Sequence, residues 1–195
     1  EERDLGLDDD WTAVRYDDGA WDAARVVAPP GGAPWHGLAR RDLPLLKEEE
    51  LVLSAPHTRL GPCAPNAGDR ADAHAFLRQG WTAASPAPIP VATDGWYEPS
   101  LAAGACAYWL FDLGHDHTCQ AVVDIAGAGG EETLLISYAE KVKDGQLALS
   151  DPQTYCRVRM TDRFRLRPGA QIAEPFAMRG ARYLLLQLAG PTGAN

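Results

Sequence analysis

A chain of 195 residues, 46% of them apolar, is long enough to bury one substantial core and reads as a single domain. Its formal net charge of −9 and pI near 4.9 exclude a phosphate-backbone partner such as nucleic acid, because none of its Lys and Arg clusters is dense. No apolar run approaches the roughly 20 residues of a membrane-spanning helix, which argues against a membrane partner, and Glu1-Glu2-Arg3-Asp4 is no export signal.

In chain order, the first feature is a pair of tryptophans, Trp11 and Trp21, around the turn Asp17-Asp18-Gly19. Asp side chains and a glycine suit a tight turn, so both indoles are expected to point into one core. After the break at Pro29-Pro30-Gly31-Gly32, the segment Arg40 to Leu46 returns to strand-like material. Lys47-Glu48-Glu49-Glu50 is a solvated charge run, and Leu51-Val52-Leu53 is a short strand candidate. Residues 1–53 are thus read as N-terminal strands.

Residues 54–105 form an irregular insertion in which Pro56, Pro62, Pro65, Pro86, Pro88, Pro90 and Pro99 interrupt every periodic run. Strand candidates inside it are Gln79 to Ala83 and Pro90 to Thr93, with a helical turn or two over Asp72 to Leu77. Its aromatics, Trp81, Trp96 and Tyr97, are the residues suited to stack on a sugar face, because loops at the rim of a sandwich carry binding function more often than strands do. Ordinary loop packing is the plainer alternative.

Residues 106–190 are the most regular. Tyr108 to Leu113 is a short aromatic-rich strand, and Gly114 is read as its end. From Ala121 to Ile125 the inward set is Ala121, Val123 and Ile125, with Asp124 on the other face as a period of two requires. Beyond the glycine-rich loop Ala126 to Gly130, Leu134, Ile136 and Tyr138 alternate with Thr133, Leu135 and Ser137. Tyr155 to Met160 and Arg163 to Arg167 alternate in the same way, Pro168-Gly169 marks a hairpin turn, and Tyr183 to Leu188 is apolar on both faces, as in a central strand or one whose outer face another domain covers. Short strands, frequent turns and little helix give the fold class: all-β, an antiparallel β-sandwich of jelly-roll type. Its core is expected to hold Trp21, Phe111, Val123, Ile136, Phe164 and Tyr183.

Cys63, Cys106, Cys119 and Cys156 contain no Cys-x-x-Cys pair and are expected to be free, mostly buried thiols, with a Cys106–Cys119 cross-strand bridge as the alternative. His115, His117 and Cys119 would project to one side of an extended segment and offer zinc three donors, but the segment is read as a solvated hairpin tip and no metal or cofactor is assigned. Asp8 to Asp10, Glu48 to Glu50 and Glu131-Glu132 lie in exposed-looking runs, so no carboxyl stands out as a catalytic acid. Glu140 and Arg182, each near a strand end, are expected to form a structural ion pair.

The run Asp112-Leu113-Gly114, Gly127 to Gly130, Ala139-Glu140, Asp144-Gly145, Asp162 to Leu166, Glu174-Pro175-Phe176 and Arg179-Gly180-Ala181-Arg182-Tyr183 resembles, in order and spacing, the β-sandwich module of bacterial α-L-rhamnosidases. The last piece is similar to that family's Phe-x-x-x-Gly-Phe-Arg-Tyr strand, with Ala181 where an aromatic is usual and His115-Asp116-His117 where a small polar turn is usual. Trp11, Asp17-Asp18 and Trp21 are similar to the opening of galactose-binding-like jelly rolls, and the Arg41 to Pro44 segment to the family's lead into the sandwich. The resemblance implies a non-catalytic module whose partner is an (α/α)6 catalytic barrel in the parent protein, with rhamnose-containing glycans as ligands. The catalytic acids belong to that barrel, so none is carried over. A self-sufficient carbohydrate-binding module and a purely structural interaction domain are the alternatives. The chain opens without methionine and is read as a processed product or an excised piece; its compartment, cytoplasmic or exported, stays open.

Overall fold

The structure is a computed structural model and describes residues 2–7, 11–34, 36–37, 39–53, 56–62, 89–143, 146–147 and 160–191. They fall into two compact units, one comprising Glu1–Asp8 with Leu53–Asn195 and the other Asp9–Val52. Trp81, the strand candidate Gln79 to Ala83, the helical turn at Asp72 to Leu77 and most of the strand expected at Tyr155 to Met160 lie outside the described residues.

The larger unit is all-β, a sandwich of antiparallel-rich sheets. Among the described residues its strands are β1 (Glu2–Asp4), β2 (His57–Pro62), β3 (Ala105–Cys119), β4 (Val123–Ala128), β5 (Thr133–Ala139), β6 (Val142–Lys143), β7 (Gln146–Leu147), β8 (Thr161–Arg165), β9 (Gly169–Ala173) and β10 (Arg179–Ala189), with one 3-10 turn at Leu5–Leu7. A six-stranded sheet runs in the order β1-β8-β5-β10-β3-β2, β4 pairs with β9, and β6 with β7. Every pair is antiparallel except β1 with β8.

Alternation decides which side chains meet. Leu134, Ile136 and Tyr138 of β5, Phe164 of β8 and Leu184 of β10 form a core with Ala173 of β9, against which Val123, Ile125 and Ala128 of β4 pack. The intervening residues turn to the other face of the large sheet, where Leu135, Ser137, Thr161, Leu185 and Gln187 are also buried. There the Ser137 and Thr161 hydroxyls, on directly paired residues, hydrogen-bond at 2.9 Å. Burial on both faces is why β5 and β10 read as near-continuous apolar runs, and β10 is central as expected. Of the expected core, Ile136 and Phe164 are fully buried, while Phe111, Val123 and Tyr183 are partly buried and packed against it.

Five expectations are corrected. Trp21 is 56% exposed and meets the Tyr16 ring at a tilt, 5.4 Å between centroids, instead of entering a core. The turn before it forms as read, with the Gly19 amide donating to Asp17 Oδ1 at 3.0 Å. No strand forms over Arg40 to Leu46 or Leu51 to Leu53; Leu43, Leu45, Leu46, Leu51 and Val52 stay exposed, because alternation makes a strand only where a neighbour takes up its backbone hydrogen bonds. Gly114 does not end a strand: at φ 83° it sits in a bulge of β3, where register slips opposite Arg182 and the strand then continues to Cys119. Pro168-Gly169 is not a hairpin turn, since β8 and β9 belong to different sheets. Cys119 is a free thiol as expected, whereas Cys106 is disulfide-bonded. These two cysteines stand at opposite ends of β3, about 30 Å or more apart at the rise of a strand, far beyond the roughly 7 Å that a disulfide spans between Cα atoms.

Candidate functional site

The site is built around a small turn. Val91 and Tyr97 form an isolated antiparallel bridge, the Glu98 amide donates to Pro90 O at 2.9 Å, and the Ala92 amide donates to Trp96 O at 2.7 Å. Asp94-Gly95 closes the loop: Gly95 takes φ 90°, which an L side chain adopts only with strain, and Asp94 Oδ1 accepts from the Trp96 amide at 3.3 Å. Trp96 and Tyr97, though adjacent in sequence, meet different surroundings. Tyr97 packs edge-on against Trp109 at 6.1 Å and joins a buried group with Ile89 and Ala107; burial raises its phenol's pKa. Trp96 is 43% exposed. The two residues expected together on a sugar are thus divided, one anchoring the turn and the other presented by it.

Trp96 lines an open cavity of about 640 Å³ together with Leu5, Ile125, Ala126, Ala170 and Ile172, and with the polar residues Asp124, Arg167 and Gln171. Asp124 of β4 pairs directly with Ile172 of β9 and, with Val123 and Ile125 facing the core, is turned to the exposed face. Gln171 is committed elsewhere: its Oε1 accepts from the Arg167 amide at 2.9 Å, and its Nε2 donates to Arg167 O at 2.7 Å and Gly169 O at 3.3 Å. One side chain therefore replaces the missing backbone pairing across the turn from β8 to β9. An exposed indole beside a carboxylate, a guanidinium and an apolar wall can stack on a flat apolar ligand face while the two charged groups hydrogen-bond polar groups at its edge. Asp124 and Arg167 escape a reading of the sequence, since Asp124 lies on β4 and Arg167 on the connection from β8 to β9, and only the fold brings both to the cavity that Trp96 lines.

Elsewhere, Arg182 takes Asp112 in place of the expected Glu140, with Nε donating to Oδ1 at 2.9 Å and Nη2 to Oδ2 at 3.1 Å. The bulge explains the exchange: Gly114's amide donates to Asp112 Oδ1 at 2.8 Å and turns that carboxylate toward the position opposite Arg182. The hydrogen bond to Asp112 raises the Arg182 pKa. A second pair, Arg179 with Asp162, is buried, with the guanidinium 5.6 Å from the centre of the Tyr138 ring. The Tyr138 phenol is held well above its usual pKa, by burial first and by the Asp162 charge next. Neither pair lines the cavity. His115 and His117 lie within β3 at and beside its bulge, not at a hairpin tip, with their rings tilted and 4.2 Å between centroids. Among the described residues no group of three or more His, Cys, Asp or Glu is placed to hold a metal ion, and none of their helices is long and apolar enough to cross a membrane.

No protein-family model matches this chain, and no curated protein matches it. Among solved structures it is similar to a GH78 family rhamnosidase of Bacillus sp. GL1, at TM-score 0.36 and 23% identity over 52% of this chain and 9% of that one. It is also similar to an α-L-rhamnosidase from Dictyoglumus thermophilum, at TM-score 0.34 and 21% identity over 45% of this chain and 10% of that one. The chain thus spans about a tenth of the length of each.

Proposed function

We propose that this chain is a non-catalytic β-sandwich domain of an α-L-rhamnosidase-like glycoside hydrolase, supporting an (α/α)6 catalytic barrel of the parent protein and holding rhamnose-containing glycan at the Trp96 cavity. The order and spacing of the sequence motifs between Asp112 and Tyr183 support the hydrolase part of the reading. The observation that carries the glycan part is the exposed Trp96 on an open cavity that also offers Asp124 and Arg167. Glycoside hydrolysis needs two carboxyl groups across the scissile bond, and Asp124 is the single carboxylate among the described residues lining this cavity. The site as described suits holding a sugar, not cleaving it.

Calorimetric titration of the 195-residue chain with a rhamno-oligosaccharide tests this. Trp96→Ala should cost on the order of 1 kcal/mol of binding free energy or more. Binding unchanged in Trp96→Ala, or no heat from the unaltered chain at millimolar sugar, would contradict it. The second reading, a face docked against a neighbouring domain, is favoured by the exposed apolar side chains of Val122, Ile172 and Met178.

A further inference from the structure

We infer that Asp124 and Arg167 form a two-sided clamp for an uncharged vicinal diol, making the cavity selective for neutral glycans over glycans that carry a uronate at the same position. This rests on the carbohydrate reading above and adds its polar specificity. Three observations carry it.

The two charges line one cavity yet do not close on each other, and among the described residues neither side chain has a hydrogen-bond or ion-pair partner. Opposite charges within reach of a shared cavity ordinarily neutralise one another; here both are left for a ligand. Their positions are nevertheless fixed by backbone. Asp124 is held in register against Ile172, and Arg167 has both its amide and its carbonyl bound by the Gln171 side chain. The turn is therefore rigid while the guanidinium is unspent.

The chemistry of the pair then selects the ligand. An ionised carboxylate only accepts hydrogen bonds and a guanidinium only donates them. A hydroxyl does both, so neighbouring sugar hydroxyls donate to Asp124 while accepting from Arg167, over the apolar floor of Ile125, Ala126, Ala170 and Ile172. A uronate carboxylate has nothing to donate to Asp124 and meets it as a like charge. Asp124 is on this account the residue that rejects acidic sugars, and Arg167 the residue that would otherwise attract them.

The test titrates the unaltered chain, Asp124→Asn, Arg167→Gln and Trp96→Ala with a neutral rhamno-oligosaccharide and with the same oligosaccharide carrying a terminal glucuronate. All three positions are solvent-facing, and a thermal melt of each variant confirms the fold. The clamp predicts that the unaltered chain binds the neutral glycan at least about tenfold more tightly than the acidic one. Asp124→Asn should weaken the neutral glycan about tenfold and strengthen the acidic one, and Arg167→Gln should weaken both, since charge-assisted hydrogen bonds are the strong ones. If Trp96→Ala loses the neutral glycan while Asp124→Asn and Arg167→Gln bind both glycans as the unaltered chain does, the clamp is wrong and the carbohydrate reading stands. If the unaltered chain binds neither glycan, the carbohydrate reading itself fails and the clamp with it.

Discussion

Two arginines three positions apart in β10 show how burial, not pairing, sets what an ion pair is worth. Arg182 and Asp112 meet through two good hydrogen bonds, but their side chains are 40% and 43% exposed, so water and salt screen the charges and the pair serves mainly to seat the bulge of β3. Arg179 meets an Asp162 that is wholly inside the sandwich. Desolvation there is costly, and the pair's net contribution is small, but removing Arg179 takes the guanidinium away from a wholly buried carboxylate. Arg179→Met is therefore expected to lose about 3–5 kcal/mol in urea-induced unfolding, with Arg179→Met/Asp162→Asn recovering part of that loss. A single variant as stable as the parent would mean that Asp162 is satisfied without its arginine. Nothing in the sequence marks this difference, because both arginines sit in one alternating run, and only the neighbours brought by register separate them.

At the scale of elements, the glycine-rich turn between β4 and β5 is held by one carboxylate. Glu132 accepts from the amides of Gly129 at 3.0 Å, Gly130 at 2.9 Å and Glu131 at 3.1 Å. Partial burial opposes its charge, but the backbone donors together outweigh burial and hold its pKa below the usual carboxylate value. A group with a depressed folded pKa contributes stability that is present above its unfolded pKa of about 4.3 and is lost as pH falls through the folded value. Glu132→Gln should thus lower the melting temperature at neutral pH and narrow its gap from the parent below about pH 4; a gap constant from pH 7 to pH 3 would contradict this role. Gly130 is fixed in the same turn, since at φ 100° an added Cβ would lie 2.7 Å from the Pro168 ring.

The sequence shows this loop as glycine-rich and Glu131-Glu132 as a solvated run; that one of the two is folded back onto backbone amides depends on the turn's shape, which composition does not encode. Strands β4, β5, β8 and β10 are legible because alternation and flanking turns agree. Gly114 and Pro168-Gly169 mislead because a bulge, a sheet-to-sheet crossing and a hairpin share the same local residues. Of the candidate site, Trp96 is legible as a turn-borne aromatic, whereas Asp124 on β4 and Arg167 on the connection from β8 to β9 are not, because the fold joins positions distant in sequence.

For the molecule as a whole, the acidic residues described above hold turns, form ion pairs or, in Asp124, line the Trp96 cavity. The reading as a supporting module therefore expects no turnover: the purified chain at high concentration should release no nitrophenol from an aryl α-L-rhamnoside above the buffer blank. Turnover abolished by changing one acidic residue would place a catalytic pair among carboxylates assigned to solvent here. The central claim, a sugar held at the Trp96 cavity, is tested most directly by nuclear magnetic resonance of the 15N-labelled chain titrated with a rhamno-oligosaccharide. The account predicts that the Trp96 indole N–H and the amides of Asp124, Arg167 and Ile172 shift together along one binding curve, while those of Tyr138 and Asp162 stay in place. Shifts centred elsewhere with Trp96 unmoved, or no shift at millimolar sugar, would contradict it.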